Sequence, residues 1–257
     1  MGRIIILYHS GVGNTKRIAQ HMYNYLKRND SADIYSIEEL PVDFSFDKYS
    51  KLIIGFPTIH TEPALLMMHF VQQLGKMKKK VPAFVYTTCG LYSGNAVKIL
   101  CEQAIVKNII PVYTRSYRCP AMDGILLTPT IKRWYTYEKN LPSKIEKDLK
   151  CFLKTTEIQD KTPKLKWYSA LNYPNKVIGK NKKFRIYLHG KKCVKCGLCS
   201  KQCPVGACAK ASDGRPLFDT GKCINCYRCI HNCPQLALSL SKRRMPMKTL
   251  IKQTKMQ

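Results

Sequence analysis

The sequence predicts an α/β fold, a doubly wound parallel sheet of five strands, followed by a small α+β unit. Three observations predict it. Apolar runs of strand length alternate with segments of helical period up to Lys154. A glycine-containing loop, His9-Ser10-Gly11-Val12-Gly13-Asn14-Thr15, joins the first strand to the first helix. Cysteines then crowd into the last third, nine of the 13 lying between Cys193 and Cys233.

The elements follow in order. Arg3 to Tyr8 is a continuous apolar run, as a strand buried on both faces requires. Thr15 to Arg28 sets Ile18, Ala19, Met22, Tyr25 and Leu26 at helical spacing. Strands are predicted over Ala32 to Ile37 and Lys51 to Phe56, and a helix over Pro63 to Leu74 with proline in its first turn. Val81 to Thr87 is the fourth strand, Asn95 to Lys107 a helix, and Ile109 to Thr114 the fifth strand. Pro142 to Lys154 closes the unit as a helix with Ile145, Leu149, Phe152 and Leu153 turned inward. The long stretch 118–141 before it, with Arg118, Trp134, Tyr135 and Tyr137, suits either a pocket roof or a docking surface. Expected domains are therefore 1–155, a connector 156–183 rich in Lys, Pro and Asn, a second domain 184–240 opened by a strand Phe184 to Leu188, and a basic tail 241–257.

Composition excludes several classes. At 257 residues and 45% hydrophobic the chain is long enough to bury a core without disulfides and too apolar to be disordered. The run Met1 to Leu7 is too short for an export signal, and no stretch reaches the roughly 18 apolar residues of a membrane span. A reducing, cytoplasmic setting with thiols holding metal is expected. The net charge is +28, and beyond residue 160 the acids are only Asp213 and Asp219. Such an excess could meet nucleic acid, yet lysine-rich segments without a recognition motif are expected to dock acidic proteins, so no nucleic-acid partner is expected.

Two copies of one cysteine pattern lie 30 residues apart: Cys193-x-x-Cys196-x-x-Cys199-x-x-x-Cys203-Pro204 and Cys223-x-x-Cys226-x-x-Cys229-x-x-x-Cys233-Pro234. Three cysteines at i, i+3 and i+6 wrap a tight loop around one centre, and the fourth reaches away. Zinc sites pair two C-x-x-C arms across a longer loop and do not repeat a third cysteine in this way. Thiolate-only ligation at this spacing points to iron–sulfur chemistry. Cys208 falls outside the pattern and reads as a buried thiol.

Residues 184–240 thus resemble a bacterial-type ferredoxin with two [4Fe–4S] clusters. That resemblance implies crossed ligation: Cys193, Cys196, Cys199 and Cys233 for one cluster, and Cys223, Cys226, Cys229 and Cys203 for the other. The N-terminal loop lacks the Walker lysine and the third glycine of a dinucleotide fingerprint, but its glycines and the helix start favour an anion. It resembles the phosphate loop of flavodoxins. Ser10, Gly13 and Thr15 match that pattern, and Val12 stands where a threonine would be.

The flavodoxin-like reading implies FMN, with its phosphate on Ser10, Gly11, Val12, Gly13, Asn14 and Thr15. The ring would lie between Pro57-Thr58-Ile59-His60 and Thr88-Cys89-Gly90-Leu91-Tyr92, where Tyr92 would stack. The whole chain resembles flavodoxin–ferredoxin fusion electron carriers. Implied is electron transfer between FMN and the clusters and on to acidic redox proteins, with Lys192, Lys195, Lys222 and Arg228 raising the cluster potentials. A reductase acting on a small-molecule acceptor is the alternative. Monomer and homodimer both stay open.

Overall fold

The computed structural model describes residues 2–28, 31–41, 43–121, 136–167, 169, 185–240 and 242. The calls on Trp134 and Tyr135, on most of the connector and on nearly all of the tail lie outside them.

Five parallel strands, β1 (Arg3–Tyr8), β2 (Ala32–Ser36), β3 (Tyr49–Ile59), β5 (Val81–Cys89) and β6 (Ile109–Arg118), form a sheet in the order β2-β1-β3-β5-β6. Successive side chains of a strand point to opposite faces, so the sheet has two cores. Ile4, Ile6 and Tyr8 of β1 join Ile18, Met22 and Leu26 of α1 (Asn14–Leu26) and Leu141, Ile145, Leu149 and Phe152 of α4 (Leu141–Lys154). On the other face, Ile5 and Leu7 meet Met67 and Val71 of α2 (Leu65–Gln73) and Val97, Leu100 and Ala104 of α3 (Ala96–Val106). Burying each such side chain contributes about 1.5–3 kcal/mol.

Polar anchors fix α4. Asp148, 2% exposed, accepts hydrogen bonds from Tyr113 (2.7 Å) and Tyr117 (2.9 Å) and from Arg115 (3.0 Å), all on β6. At the other end, Lys51 of β3 donates to the carbonyls of Phe152, Leu153 and Thr155, where the helix leaves acceptors open and its dipole favours a cation.

The elements differ from the sequence reading in two informative places. Pro63 is not in a helix turn. It pairs with Thr58 in β4 (Glu62–Pro63), which runs antiparallel to β3, and the helix begins at Leu65. The hairpin turn is His60-Thr61, with φ of 48° and 65°, the primed geometry that normally selects Asn-Gly. Strands β3, β5 and β6 also run on past the apolar stretches that predict them. Their polar ends are satisfied across the sheet: Thr87 Oγ1 bonds Thr58 Oγ1 (2.8 Å) and the Phe56 carbonyl (2.9 Å), and Ser116 donates to Ser93 (3.0 Å).

The C-terminal part is built by the internal repeat. β7 (Tyr187–Leu188) pairs antiparallel with β10 (Leu238–Ser239), and β8 (Cys208–Lys210) with β9 (Pro216–Phe218). Short helices α5 (Leu198–Lys201) and α6 (Arg228–His231) follow the two cysteine loops. Left-handed residues recur at equivalent positions: Lys195 and Asn225, Gly197 and Tyr227, Gly206 and Leu236. The backbone N–H of Ala207 donates to Cys203 Sγ and that of Ala237 to Cys233 Sγ, each at 3.2 Å. Among the described residues its apolar cluster centres on Tyr227, Ile230 and Leu238, edged by residues such as Ile186, Leu188 and Phe218, with Ala207 and Ala237 also buried. So small a core falls short of what independent folding needs, which is the usual setting for a structural metal centre.

Candidate functional site

The order β2-β1-β3-β5-β6 reverses direction between β1 and β3, and in a doubly wound sheet ligands sit beyond the carboxyl ends of the strands at such a point. A cleft opens there. Ser10, Gly11, Val12, Asn14 and Thr15 line it from the loop after β1, Pro57, Thr58, Ile59 and His60 from the end of β3, and Thr88, Cys89 and Gly90 from the end of β5.

The loop is internally braced. Ser10 Oγ accepts from the backbone N–H groups of Gly13 (3.1 Å) and Lys16 (3.2 Å). Gly13, at φ 107°, heads α1 in a conformation that only glycine adopts at no steric cost. Asn14 donates to the Pro120 carbonyl (2.9 Å) and accepts from Tyr137 Oη (2.7 Å), and the Thr15 and Thr88 hydroxyls share a bond of 2.9 Å. The start of a 13-residue helix, at Asn14 and Thr15, thus lines the cleft with no acidic residue in its first turn, an environment suited to an anion.

Three predicted residues stand apart from the cleft lining. Gly13 shapes the loop from behind. Leu91 is 61% exposed. Tyr92 is turned away, its hydroxyl bonded to Ser169 Oγ at 2.6 Å and Lys166 Nζ over its ring. Cys119, Pro120, Ala121, Asn225 and Tyr227 line the cleft without having been expected to. Cys89 and Cys119 are buried thiols rather than nucleophiles: desolvation pushes Cys89 up to about 11 and Cys119 well above its ordinary value. Tyr137, suggested as a pocket roof, instead packs on the start of α1, accepting from Arg17 (3.0 Å).

The eight motif cysteines sort around two cavities. Cys193, Cys196, Cys199 and Cys233 line one, together with Leu188, Val194, Leu198, Pro216 and Leu238. Cys203, Cys223, Cys226 and Cys229 line the other with Ile186, Val205, Phe218 and Tyr227, and Cys208 also reaches it. Each cavity thus receives three cysteines of one run and the fourth of the other. Among the described residues no three His, Cys, Asp or Glu side chains converge on a single ion, whereas four sulfurs spread around an apolar cavity suit a multi-iron centre. Burial raises the Cys226 and Cys229 thiols, and a positive centre held between them would oppose that shift.

The second run touches the first part of the chain through Arg228. Its Nη2 donates to the Ser10 carbonyl (2.9 Å) and Glu38 Oε1 (2.7 Å), its Nε to the Gly11 carbonyl (3.3 Å), and its Nη1 to Glu38 Oε2 and the Gln202 carbonyl. His9 Nδ1 bonds the same Glu38 at 2.7 Å. Burial alone would raise the Glu38 carboxyl, but Arg228 and His9 outweigh it and hold it at about 2. Arg228 is therefore half of a fork-to-fork ion pair. Lys192, Lys195 and Lys222 are exposed.

Residues 192–239 match the family model of the 4Fe–4S dicluster domain. No curated protein matches the chain. Among solved structures, flavodoxin 1 from Bacillus cereus is 16% identical over 60% of this chain and 99% of its own, with a TM-score of 0.45. A Megasphaera elsdenii flavodoxin is 19% identical over 44% and 84%, at 0.40. A Fusobacterium nucleatum flavodoxin bound to flavin mononucleotide is 13% identical over 60% and 95%, at 0.38. The fold assignment rests on the strand order rather than on these scores. The chain combines a sheet of flavodoxin-like topology with a segment similar to the 4Fe–4S dicluster domain.

Proposed function

We propose that this chain carries electrons between an FMN in the cleft and two [4Fe–4S] clusters on the cysteine runs, and exchanges them with external redox proteins. The single observation that supports it is that Tyr227 lines both the cleft and the cavity of Cys203, Cys223, Cys226 and Cys229. Tyr227 therefore borders both sites, which brings them close, and electron transfer falls steeply with distance. When bound, FMN would accept one or two electrons and the clusters one each, which links single-electron to paired chemistry.

The chain's own residues do the rest. The loop Ser10–Thr15 would take the phosphate on its N–H groups, and the ring would lie against Pro57–His60 and Thr88–Gly90. Cys193, Cys196, Cys199 and Cys233 would hold one cluster, Cys223, Cys226, Cys229 and Cys203 the other, with the apolar linings excluding water. The first run presents exposed Val194, Cys196 and Leu198 beside exposed Lys191, Lys192 and Lys195, a surface that suits an acidic redox protein.

Anaerobic purification with iron, sulfide and flavin analysis tests the reading. About eight iron and eight sulfide, from two four-iron clusters, and one FMN per chain are expected. Zinc in place of iron, or clusters without any FMN binding, would overturn it.

A further inference from the structure

The two cysteine runs are copies, and the second departs from the first where it meets the anion loop. Gly197 and Leu198 of the first run correspond to Tyr227 and Arg228 of the second. Gly197 and Tyr227 share a left-handed backbone, φ 69° and 55°, which glycine adopts freely and tyrosine does not. The Arg228 side chain beside it, 13% exposed, reaches Ser10, Gly11, Gln202 and Glu38. Leu198, its counterpart, is 39% exposed.

The consequences run both ways. Ser10 and Gly11 are the first two loop residues of the cleft lining, and Arg228 bonds their carbonyls. Arg228 itself sits between Cys226 and Cys229, so its position depends on how that loop is folded. Tyr227, next to it, closes the cleft from the cysteine side.

Building on the reading above, in which the cleft takes FMN and the runs take clusters, we infer that Arg228 is a positioning residue that couples the two sites. It holds the anion loop in its binding shape while the second run is wrapped around its cluster. Linkage makes the effect reciprocal: the loaded second run raises FMN affinity, and FMN tightens the hold on that cluster by the same free energy. Among the described residues, none of the first run lines the cleft, and that run meets Arg228 through the Gln202 carbonyl.

The test measures FMN affinity by fluorescence quenching under anaerobic conditions, on full-length, iron-loaded protein. Arg228→Gln should bind FMN about 5- to 150-fold more weakly than wild type, the range of ordinary site-to-site coupling. Glu38→Gln, which leaves Arg228 in place, should weaken it less, and Arg228→Lys should recover part of the loss. The second readout is iron loss to a chelator: FMN should slow one half of the loss in wild type and leave Arg228→Gln unaffected. Arg228→Gln with full iron content and unchanged FMN affinity would overturn the coupling while leaving the proposed function intact. Wild type that binds no FMN would overturn both.

Discussion

Gly55 of β3 faces Tyr86 of β5, and a methyl group added there tests how tightly the sheet holds the cleft. A Cβ at Gly55 would lie 2.2 Å from Tyr86 Cζ and 2.3 Å from its hydroxyl oxygen. The ring has nowhere to go. Tyr86 is 0% exposed, it packs edge-on against Phe84 and Tyr117 at centroid distances of 6.0 and 5.8 Å, and its hydroxyl donates to the Thr15 carbonyl at 3.3 Å. Overpacking of this kind costs about 1–3 kcal/mol. For a chain of this size each kcal/mol lowers the Tm by about 2–4 °C, so Gly55→Ala should melt roughly 2–12 °C below wild type by far-UV circular dichroism. Tyr86→Leu vacates the space, so the double variant should lose less than the sum of the singles, by about 1 kcal/mol or more. A Gly55→Ala melt within about 1 °C of wild type, or strict additivity, would refute this account of the core.

Three further outcomes follow from the same packing and hydrogen bonds. Asp148→Ala removes the buried acceptor of Tyr113, Tyr117 and Arg115 and should cost about 3–5 kcal/mol in urea denaturation; a loss under about 1 kcal/mol would contradict the role given to that triad. Lys51→Met strips the last carbonyls of α4 of their donor and should cost about 1–2 kcal/mol, with faster amide exchange confined to the end of that helix. Of the five cysteines outside the two runs, Cys151 is exposed and Cys89, Cys101, Cys119 and Cys208 are buried. One thiol should therefore alkylate rapidly in iron-loaded protein at neutral pH, while Cys89, pushed up to about 11, reacts about tenfold faster per pH unit as the pH rises toward that value.

The parallel strands were legible because strands buried on both faces leave continuous apolar runs, and Arg3 to Tyr8 has the same bounds in sequence and structure. The hairpin at His60-Thr61 was not, since neither residue is a usual former of a primed turn. Tyr92 looked like a stacking residue because it follows β5, yet its hydroxyl finds Ser169, 77 residues on. The Arg228–Glu38 pair spans 190 residues, and no local pattern encodes a contact of that range. One signal did exist: the repeat breaks at Tyr227 and Arg228, where the first run's Gly197 and Leu198 give way to a bulky aromatic and a cation. Cys119 to Ala121 reach the cleft because β6 runs several residues past its apolar stretch.

The most direct test of the central claim is the rate at which flavin bleaches after a flash-generated one-electron donor has reduced the clusters, followed over a range of protein concentrations. Sites that share Tyr227 in their linings within one chain predict a first-order rate that does not change with concentration. A rate that rises in proportion to protein concentration would place the transfer between molecules and contradict the account.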